Sequence, residues 1–434
     1  MEDSIVLGIT ALMGFYMAWN IGANDVANSM ADAVGSKSIT IKKAIIAAGI
    51  CEFAGAVLVG SHVTNTVRKG IVDPQVLAHL PGMAPHEAAA IFIIGMAGAL
   101  LAASIWLNVS SWAGLPVSTT HSIVGAVAGF GIIAAGFGAV SWVTMGKIVS
   151  SWFISPIVGG IMGFLIFNFI SKTILGSARP IHAAKKITPF IVFCLAFIVT
   201  LGTIYKGLKH VIHNISWLTD NNTILIAFGI SLSAAIFSKF YLRRALAAHS
   251  EKSIAQQLEQ VEKTFMPLVV ISSCSVAFAH GSNDVANAVG PLSAVVNILQ
   301  NGTLSMKVGV PFWIMVLGGI GIVVGLATYG YRVMATVGTD ITEITPSRGV
   351  AADIATTFTV LSCSRLGLPI STTHTLVGAI IGIGLARGTS GIDRNVTKRI
   401  FGAWLITVPA AALVSMLFFI TGRALLLHTI MGLF

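Results

Sequence analysis

Two stretches of the chain have residue types suited to holding small ions inside a membrane, and they are near copies of each other. Gly22-Ala23-Asn24-Asp25-Val26-Ala27-Asn28 recurs as Gly281-Ser282-Asn283-Asp284-Val285-Ala286-Asn287. A carboxylate flanked by carboxamides offers the oxygen ligands that hard cations take. Each copy sits in an apolar run: residues 5–19 precede the first and residues 265–279 the second. Ionisable groups are expensive in hydrocarbon and mark function when they occur there. Asn24, Asp25, Asn28, Asn283, Asp284 and Asn287 are therefore the candidate cation ligands. One acid per copy suggests one cation per copy, and oxygen ligands with two acids favour Na⁺. The glycine ahead of each cluster predicts a helix break, whose freed carbonyls would add ligands. Asparagine as packing glue between helices would explain Asn28 and Asn287. It would not explain an intramembrane acid twice over.

A second motif is also duplicated. Leu115-Pro116-Val117-Ser118-Thr119-Thr120-His121 returns as Leu368-Pro369-Ile370-Ser371-Thr372-Thr373-His374. Proline biases the residue before it away from helix, and serine just after is a natural helix N-cap. Each copy reads as a helix beginning at membrane depth, with free backbone N–H groups and the positive end of the helix dipole. Ser118, Thr119, Thr120, Ser371, Thr372 and Thr373 add hydroxyl donors, which makes them the candidate ligands of an oxyanion. No arginine accompanies them, so a bound anion can also leave. Single hydroxyls in a span usually bond back to their own helix; a repeated Pro-x-Ser-Thr-Thr-His favours a site.

These motifs need a membrane scaffold, and the composition supplies one. The chain is 55% hydrophobic and 10% charged, against about 25% charged in soluble domains. Segments of about 20 apolar residues can span a bilayer. Such segments lie near 4–30, 42–60, 88–107, 116–140, 147–169, 188–204, 223–241, 265–299, 311–335, 350–363, 369–386 and 398–420. The fold class is thus an all-α polytopic membrane protein with about twelve spans. With the N-terminus outside and every segment crossing, eighteen of the 26 basic residues fall inside and eight outside. That is the asymmetry of the positive-inside rule, and it puts both termini on the extracytoplasmic side of a plasma membrane. Seven crossings separate the two Asn-Asp spans, so the copies thread in opposite directions. The expected organisation is repeat 1 over 1–172, two connecting spans and a charged cytoplasmic linker over 173–264, and inverted repeat 2 over 265–434. Re-entrant hairpins at Pro116 and Pro369 would change that parity. The net charge of +10 is spread over short loops and implies lipid headgroups, with no nucleic-acid partner. The four cysteines lie in apolar runs without metal or disulfide spacing.

Other residues stand alone. Glu52 is a mid-span acid. Aligning Gly55 and Gly60 with Gly325 and Gly330 leaves it opposite Ile322, without an acidic twin, which makes it a candidate for coupling. His121 and His374 are coupling candidates too, either lining the site or packing beside it. Glu52 and these histidines keep H⁺ open as the driving ion. Asp353, near the start of a span, reads as a helix N-terminal charge. Arg68 and Lys69 suit headgroup positioning.

Together the duplicated motifs resemble the inorganic phosphate transporter family of cation–phosphate symporters. Further matching stretches are Glu52-Phe53-Ala54-Gly55, Thr66-Val67-Arg68-Lys69-Gly70 and Gly338-Thr339-Asp340-Ile341-Thr342. The resemblance implies inorganic phosphate as substrate, Na⁺ or H⁺ as coupling ion, and a twelve-span inverted-repeat fold. By position, it implies Asp25, Asn28, Asp284 and Asn287 as cation-linked residues and the six hydroxyls as phosphate-linked. Animal members carry a long central insert; the short linker here is like the microbial form. No cofactor and no resident metal beyond co-transported Na⁺ is expected. A metal–phosphate complex as substrate and a homodimeric assembly stay open. Rival classes are an ion channel and a membrane enzyme; the chain lacks the His-Glu-x-x-His spacing of the latter.

Overall fold

In a computed structural model of the chain, the described residues are 2–60, 71–72, 76–77, 82–205, 219–247, 252–302, 304, 310–365, 370–388 and 392–433. The helices in chain order are α1 (Glu2–Asn24), α2 (Val26–Gly35), α3 (Ile41–Val59), α4 (Pro85–Trp112), α5 (Thr119–Ala135), α6 (Trp142–Ile170) and α7 (Pro180–Thr203). They continue with α8 (Asp220–Ala245), α9 (Ile254–Asn301), α10 (Phe312–Tyr329), α11 (Tyr331–Ala335), α12 (Pro346–Arg365), α13 (Thr372–Ala386) and α14 (Arg394–Met431). Each expected span coincides with one of these helices or with a consecutive pair. Among the described residues, eight helical paths are long and apolar enough to cross a membrane. The protein is therefore an all-α, multi-pass membrane protein. The apolar helices α5 and α13 have only 17 and 15 residues, about 25 and 23 Å at 1.5 Å per residue. That falls short of a bilayer core of about 30 Å, as helices that begin at membrane depth must.

Burial separates the inner helices from the outer ones. In α4, 83% of the most apolar window is buried, against 17% in α8. A helix apolar all round belongs in the centre, and α4 sits there, with Phe92, Ile93, Met96 and Leu100 all buried. Helix α8 turns Leu225, Phe237 and Phe240 outward, as a lipid-facing helix does.

Glycines set how closely the two halves meet. A Cβ added at Gly22 would run into the Ile322 carbonyl, and one at Gly325 into the Trp19 carbonyl. The duplicate residues repeat this: Gly281 meets the Glu52 carbonyl and Gly55 the Phe278 carbonyl. Small residues let helix backbones approach in this way inside membranes. So α1 pairs with α10 while α9 pairs with α3, each Asn-Asp helix lying on the second helix of the other half. The short helices exchange partners likewise: Gly125 of α5 lies on Val408 of α14, and Gly378 of α13 on Pro156 of α6.

The same contacts give direction. Gly321 lies against Phe15 and Ala18 while Gly22 reaches Leu326, so α1 and α10 run parallel. Gly281 lies against Glu52 while Gly60 meets Val285, so α3 runs parallel to α9. Gly49 against Val323 and Gly319 against Phe53 show α3 and α10 antiparallel. It follows that α1 and α9 run in opposite senses, the inverted arrangement expected from the crossing count.

The helix break expected at both Asn-Asp copies is reduced to a one-residue interruption in the first, at Asp25 between α1 and α2. The dihedrals there stay helical (φ −87°, ψ −39°), and the Asp25 N–H still bonds the Ile21 carbonyl at 2.9 Å. Helix α9 runs through residues 281–287 as part of one 48-residue helix. In the second copy Gly281 serves the close approach to Glu52 and does not open the helix. Its backbone carbonyls stay in the helical ladder and are not free as ligands.

Replacing Gly325 by alanine should separate α1 from α10, because the obstacle is backbone and cannot rotate away. We expect a loss of about 1–3 kcal/mol, read as a lower melting temperature of the detergent-solubilised protein. Gly229 of α8, with nothing within 4 Å of an added Cβ, should accept alanine without loss.

Candidate functional site

The site forms where the interruption after α1 meets the starts of α5 and α13. Asn24 ends α1 and fastens the turn between α4 and α5. Its amide nitrogen donates to Ser111 Oγ at 2.9 Å and to the Leu115 carbonyl at 3.1 Å. Its carbonyl accepts from the Val117 N–H at 3.0 Å. Trp404 Nε1 donates to the Pro116 carbonyl at 2.8 Å and holds the same turn from α14. The turn therefore delivers Ser118 and Thr119 to Asp25. Ser118 caps α5 by accepting from the His121 N–H, and Ser371 caps α13 by accepting from the His374 N–H. Both helix starts are as the Pro-x-Ser pattern predicts.

Asp25 is 2% exposed and draws donors from both halves. Its Oδ2 accepts from Thr119 Oγ1 at 2.5 Å and more distantly from the Thr119 N–H at 3.4 Å. Its Oδ1 accepts from Thr373 Oγ1 at 2.6 Å. Asp284 accepts from Asn283 Nδ2 at 3.0 Å, Asn287 Nδ2 at 3.5 Å and Thr372 Oγ1 at 3.5 Å. Asn287 also donates to Thr119 Oγ1 at 3.2 Å and Thr120 Oγ1 at 3.0 Å. The two acids, both helix starts and Asn24, Asn283 and Asn287 thus form one linked set. The Asn28 side chain lies outside the described residues, as does the 66–70 stretch with Arg68 and Lys69.

His280 lies between the acids. Its Nε2 stands 2.6 Å from Asp284 Oδ2 and 3.7 Å from Asp25 Oδ2, while its Nδ1 stands 3.1 Å from Glu52 Oε1. All four groups are buried. Ligand atoms of Asp25, His280 and Asp284 lie within 4.8 Å of one another, close enough to share a cation. Two like charges 4 Å apart repel by about 4 kcal/mol at an effective dielectric of about 20. Three carboxylates gathered here therefore call for positive charge, which His280, a proton or a metal cation can supply. From this set a cleft lined by Ser282, Thr356, Thr372 and, on α7, Val199 and Thr203 leads away from His280.

Glu52, singled out for lacking an acidic twin, joins the set through His280. His121 and His374 do not reach the acids. Their rings meet edge to face, 4.8 Å apart; His121 lies tilted against Trp152 at 5.1 Å, and His374 stacks on Trp404 at 3.7 Å. They pack behind the helix starts. From sequence, His280 is only a conceivable metal ligand of an enzyme, and neither it nor the two tryptophans counts among the transport-site residues. The signal was available: the register that aligns Gly22 with Gly281 sets His280 opposite Ile21, a polar residue against an apolar one at the edge of the motif.

A model of the phosphate transporter family, PHO4, matches residues 21–415. A Haemophilus influenzae protein named "Putative phosphate permease" is 44% identical over 97% of this chain and 98% of its own length. The chloroplastic inorganic phosphate transporter 2-1 of Arabidopsis thaliana is 39% identical, covering 94% of this chain and 71% of that protein. A solved structure titled "The sodium-dependent phosphate transporter" superposes with a TM-score of 0.84 at 39% identity, covering 97% of this chain and all of that one. A family match over nearly the whole chain, with relatives at 39% and 44% identity, places the chain in the phosphate transporter family.

Proposed function

We propose that the chain imports inorganic phosphate across the plasma membrane, driven by co-transported Na⁺. The carrying observation is that Asp25 accepts hydrogen bonds from Thr119 of one half and Thr373 of the other. The cation ligands and the oxyanion donors are thereby the same short network. Asp25, Asp284, Asn24, Asn283 and Asn287, with Asn28 by position, are the cation side. Thr119, Thr120, Thr372 and Thr373, with the helix starts capped by Ser118 and Ser371, are the phosphate side. Repeats over 1–172 and 265–434 would rock against each other about this point, giving alternating access, with both termini outside.

The chemistry of exchange follows from the hydroxyls. A threonine has one O–H to give. When Thr119 or Thr373 turns its proton to a phosphate oxygen, Asp25 loses a donor in a low-dielectric site, and a cation beside it makes good the loss. Phosphate in turn is held without fixed positive charge, so the cation offsets its charge. Each ligand improves the site for the other, which is symport.

A second reading has its own observation. His280, an imidazole able to take up or give a proton, is set among the carboxylates of Asp25, Glu52 and Asp284. H⁺ in place of Na⁺ is the alternative coupling ion.

Labelled phosphate uptake into proteoliposomes separates the two. We expect an inward Na⁺ gradient at equal pH to drive accumulation and a pH gradient without Na⁺ to fail; the reverse result selects H⁺, and no uptake under either sinks the symport reading. Asp25→Asn and Asp284→Asn should each abolish Na⁺-driven accumulation while the protein remains folded by its melting profile. Thr119→Val and Thr373→Val each remove a donor worth about 1.5–3 kcal/mol to a charged partner. They should raise the half-saturating phosphate concentration about ten- to a hundredfold, and unchanged saturation curves would remove these hydroxyls from the site.

A further inference from the structure

Behind the helix starts lies a groove that plays no part in the transport site. Helices α6, α13 and α14 enclose a cavity of about 480 Å³, within the roughly 300–1,000 Å³ of small-molecule sites. Its rim holds Phe153, Ile157 and Leu405, each more than half exposed, so it opens sideways onto lipid. It exists because α6 and α13 meet glycine to glycine. Gly382 lies on the Gly160 carbonyl and Gly378 on that of Pro156, and glycines put no side chain into the space beside the contact.

Most of the lining is apolar, but two polar side chains in it lack partners. His374 is 1% exposed, and neither of its ring nitrogens meets a hydrogen-bond partner among the described residues. The Trp152 Nε1–H is buried and unpartnered as well. Trp404, by contrast, gives its N–H to the Pro116 carbonyl. A buried donor without an acceptor is costly, and in hydrocarbon no solvent relieves it. An apolar hollow with a few polar groups at its floor is the usual make-up of a ligand site.

The depth of these groups limits what can meet them. Helix α13 is about 23 Å long in an apolar core of about 30 Å, and His374 is the third residue from its start. With its far end at Arg387 on the membrane boundary, His374 lies roughly 10 Å inside the core. Phospholipid esters and sterol hydroxyls stay at the edge of that core, and acyl chains carry no acceptor. The occupant must bring its own polar atom into hydrocarbon. A neutral imidazole offers one N–H and the indole another, so a carbonyl oxygen suits both. The surfaces around it are rings: Trp152, Phe153, Phe164, His374, Phe401 and Trp404 line the groove. Rings pack well on rings, which favours a planar head.

We propose that this groove binds a lipid-soluble molecule with a planar, carbonyl-bearing ring, of the quinone class. Its ring oxygen accepts from His374 and Trp152, and its apolar tail leaves between α6 and α14. His374 adjoins Thr373, whose hydroxyl bonds Asp25, so the ring sits beside the start of α13 that serves the transport site. Binding requires neither phosphate nor a cation, so its test stands apart from that of the symport reading.

Photolabelling of the full-length protein in phosphatidylcholine nanodiscs tests this. The probe is an azido-substituted benzoquinone with a decyl tail, and labelled peptides are located by mass spectrometry. We expect label on α6, α13 and α14 around the groove, displaced by the same quinone without the azide. His374→Phe and Trp152→Phe keep a ring in place and each remove one donor to a neutral acceptor. Each should raise the half-displacing quinone concentration about three- to tenfold, and Trp152→Phe keeps the readout if His374→Phe does not fold. Equal displacement by palmitate or cholesterol would make the groove a site for any apolar chain and overturn the proposal. So would label scattered over the outer helices and unmoved by both substitutions. Absence of label overturns it too, and a dimer that Leu405→Arg converts to a monomer by light scattering would then assign the groove to a second copy of the chain.

Discussion

A carboxylate inside hydrocarbon must be met by donors or by a cation, and this requirement organises the centre of the molecule. Asp25 is met by hydroxyls at the starts of two helices from opposite halves of the chain. Those starts can stand beside it only because α5 and α13 are short and begin at depth. They are held there by turns that Asn24 and Trp404 fasten. Glycines at the crossings then bring α1 onto α10 and α9 onto α3, so that both acids reach one point. The helix lengths, the caps and the small residues all serve one electrostatic need.

The exchange of helix partners has a local exception with chemical content. In the register that superposes the halves, His280 and Glu52 occupy the positions of Ile21 and Ile322. Both isoleucines are fully buried, and Gly22 packs on the Ile322 carbonyl as Gly281 packs on that of Glu52. The backbone keeps its pseudo-symmetry, while one side-chain pair is apolar and the other ionisable. A protein whose halves were chemically identical would have no means of treating its two acids differently. Here Asp284 has a histidine at 2.6 Å, and Asp25 has two threonine hydroxyls instead. The two acids therefore face different environments on a nearly symmetric scaffold.

Much of this was legible in the residues because cost is written locally. An acid in an apolar run is visible without a structure, and so is a serine following Pro-x ahead of a helix. The duplicated order carried the antiparallel threading as well. What was not legible depends on contacts across the chain. Asp25 meeting Thr373 joins residues 348 positions apart. The continuity of α9 could not be read from a glycine that had two uses, break or close approach, and packing against Glu52 decided between them. His280 carries no neighbouring sequence signal of its own and becomes notable only against Ile21. The same holds for Asp353, which is met by the hydroxyls of Ser272 and Ser273, 81 and 80 positions away.

On the proposed symport reading, coupling rests on how few protons the donors of the site have. Thr119 Oγ1 donates to Asp25 and accepts from Asn287, so its single proton and its lone pairs are already engaged. A phosphate oxygen that takes this proton also disturbs Asn287, which is bonded to Asp284. One substrate contact is thereby felt at both acids. If cation binding at the acids raises phosphate affinity by some factor, phosphate raises cation affinity by the same factor. An arginine in place of the hydroxyls would break this relation, because it would hold phosphate whether or not cations were present. On the proposed symport reading, the lack of fixed positive charge on the helix starts is what makes the cation necessary, and the necessity is what turns a binding site into a coupled one.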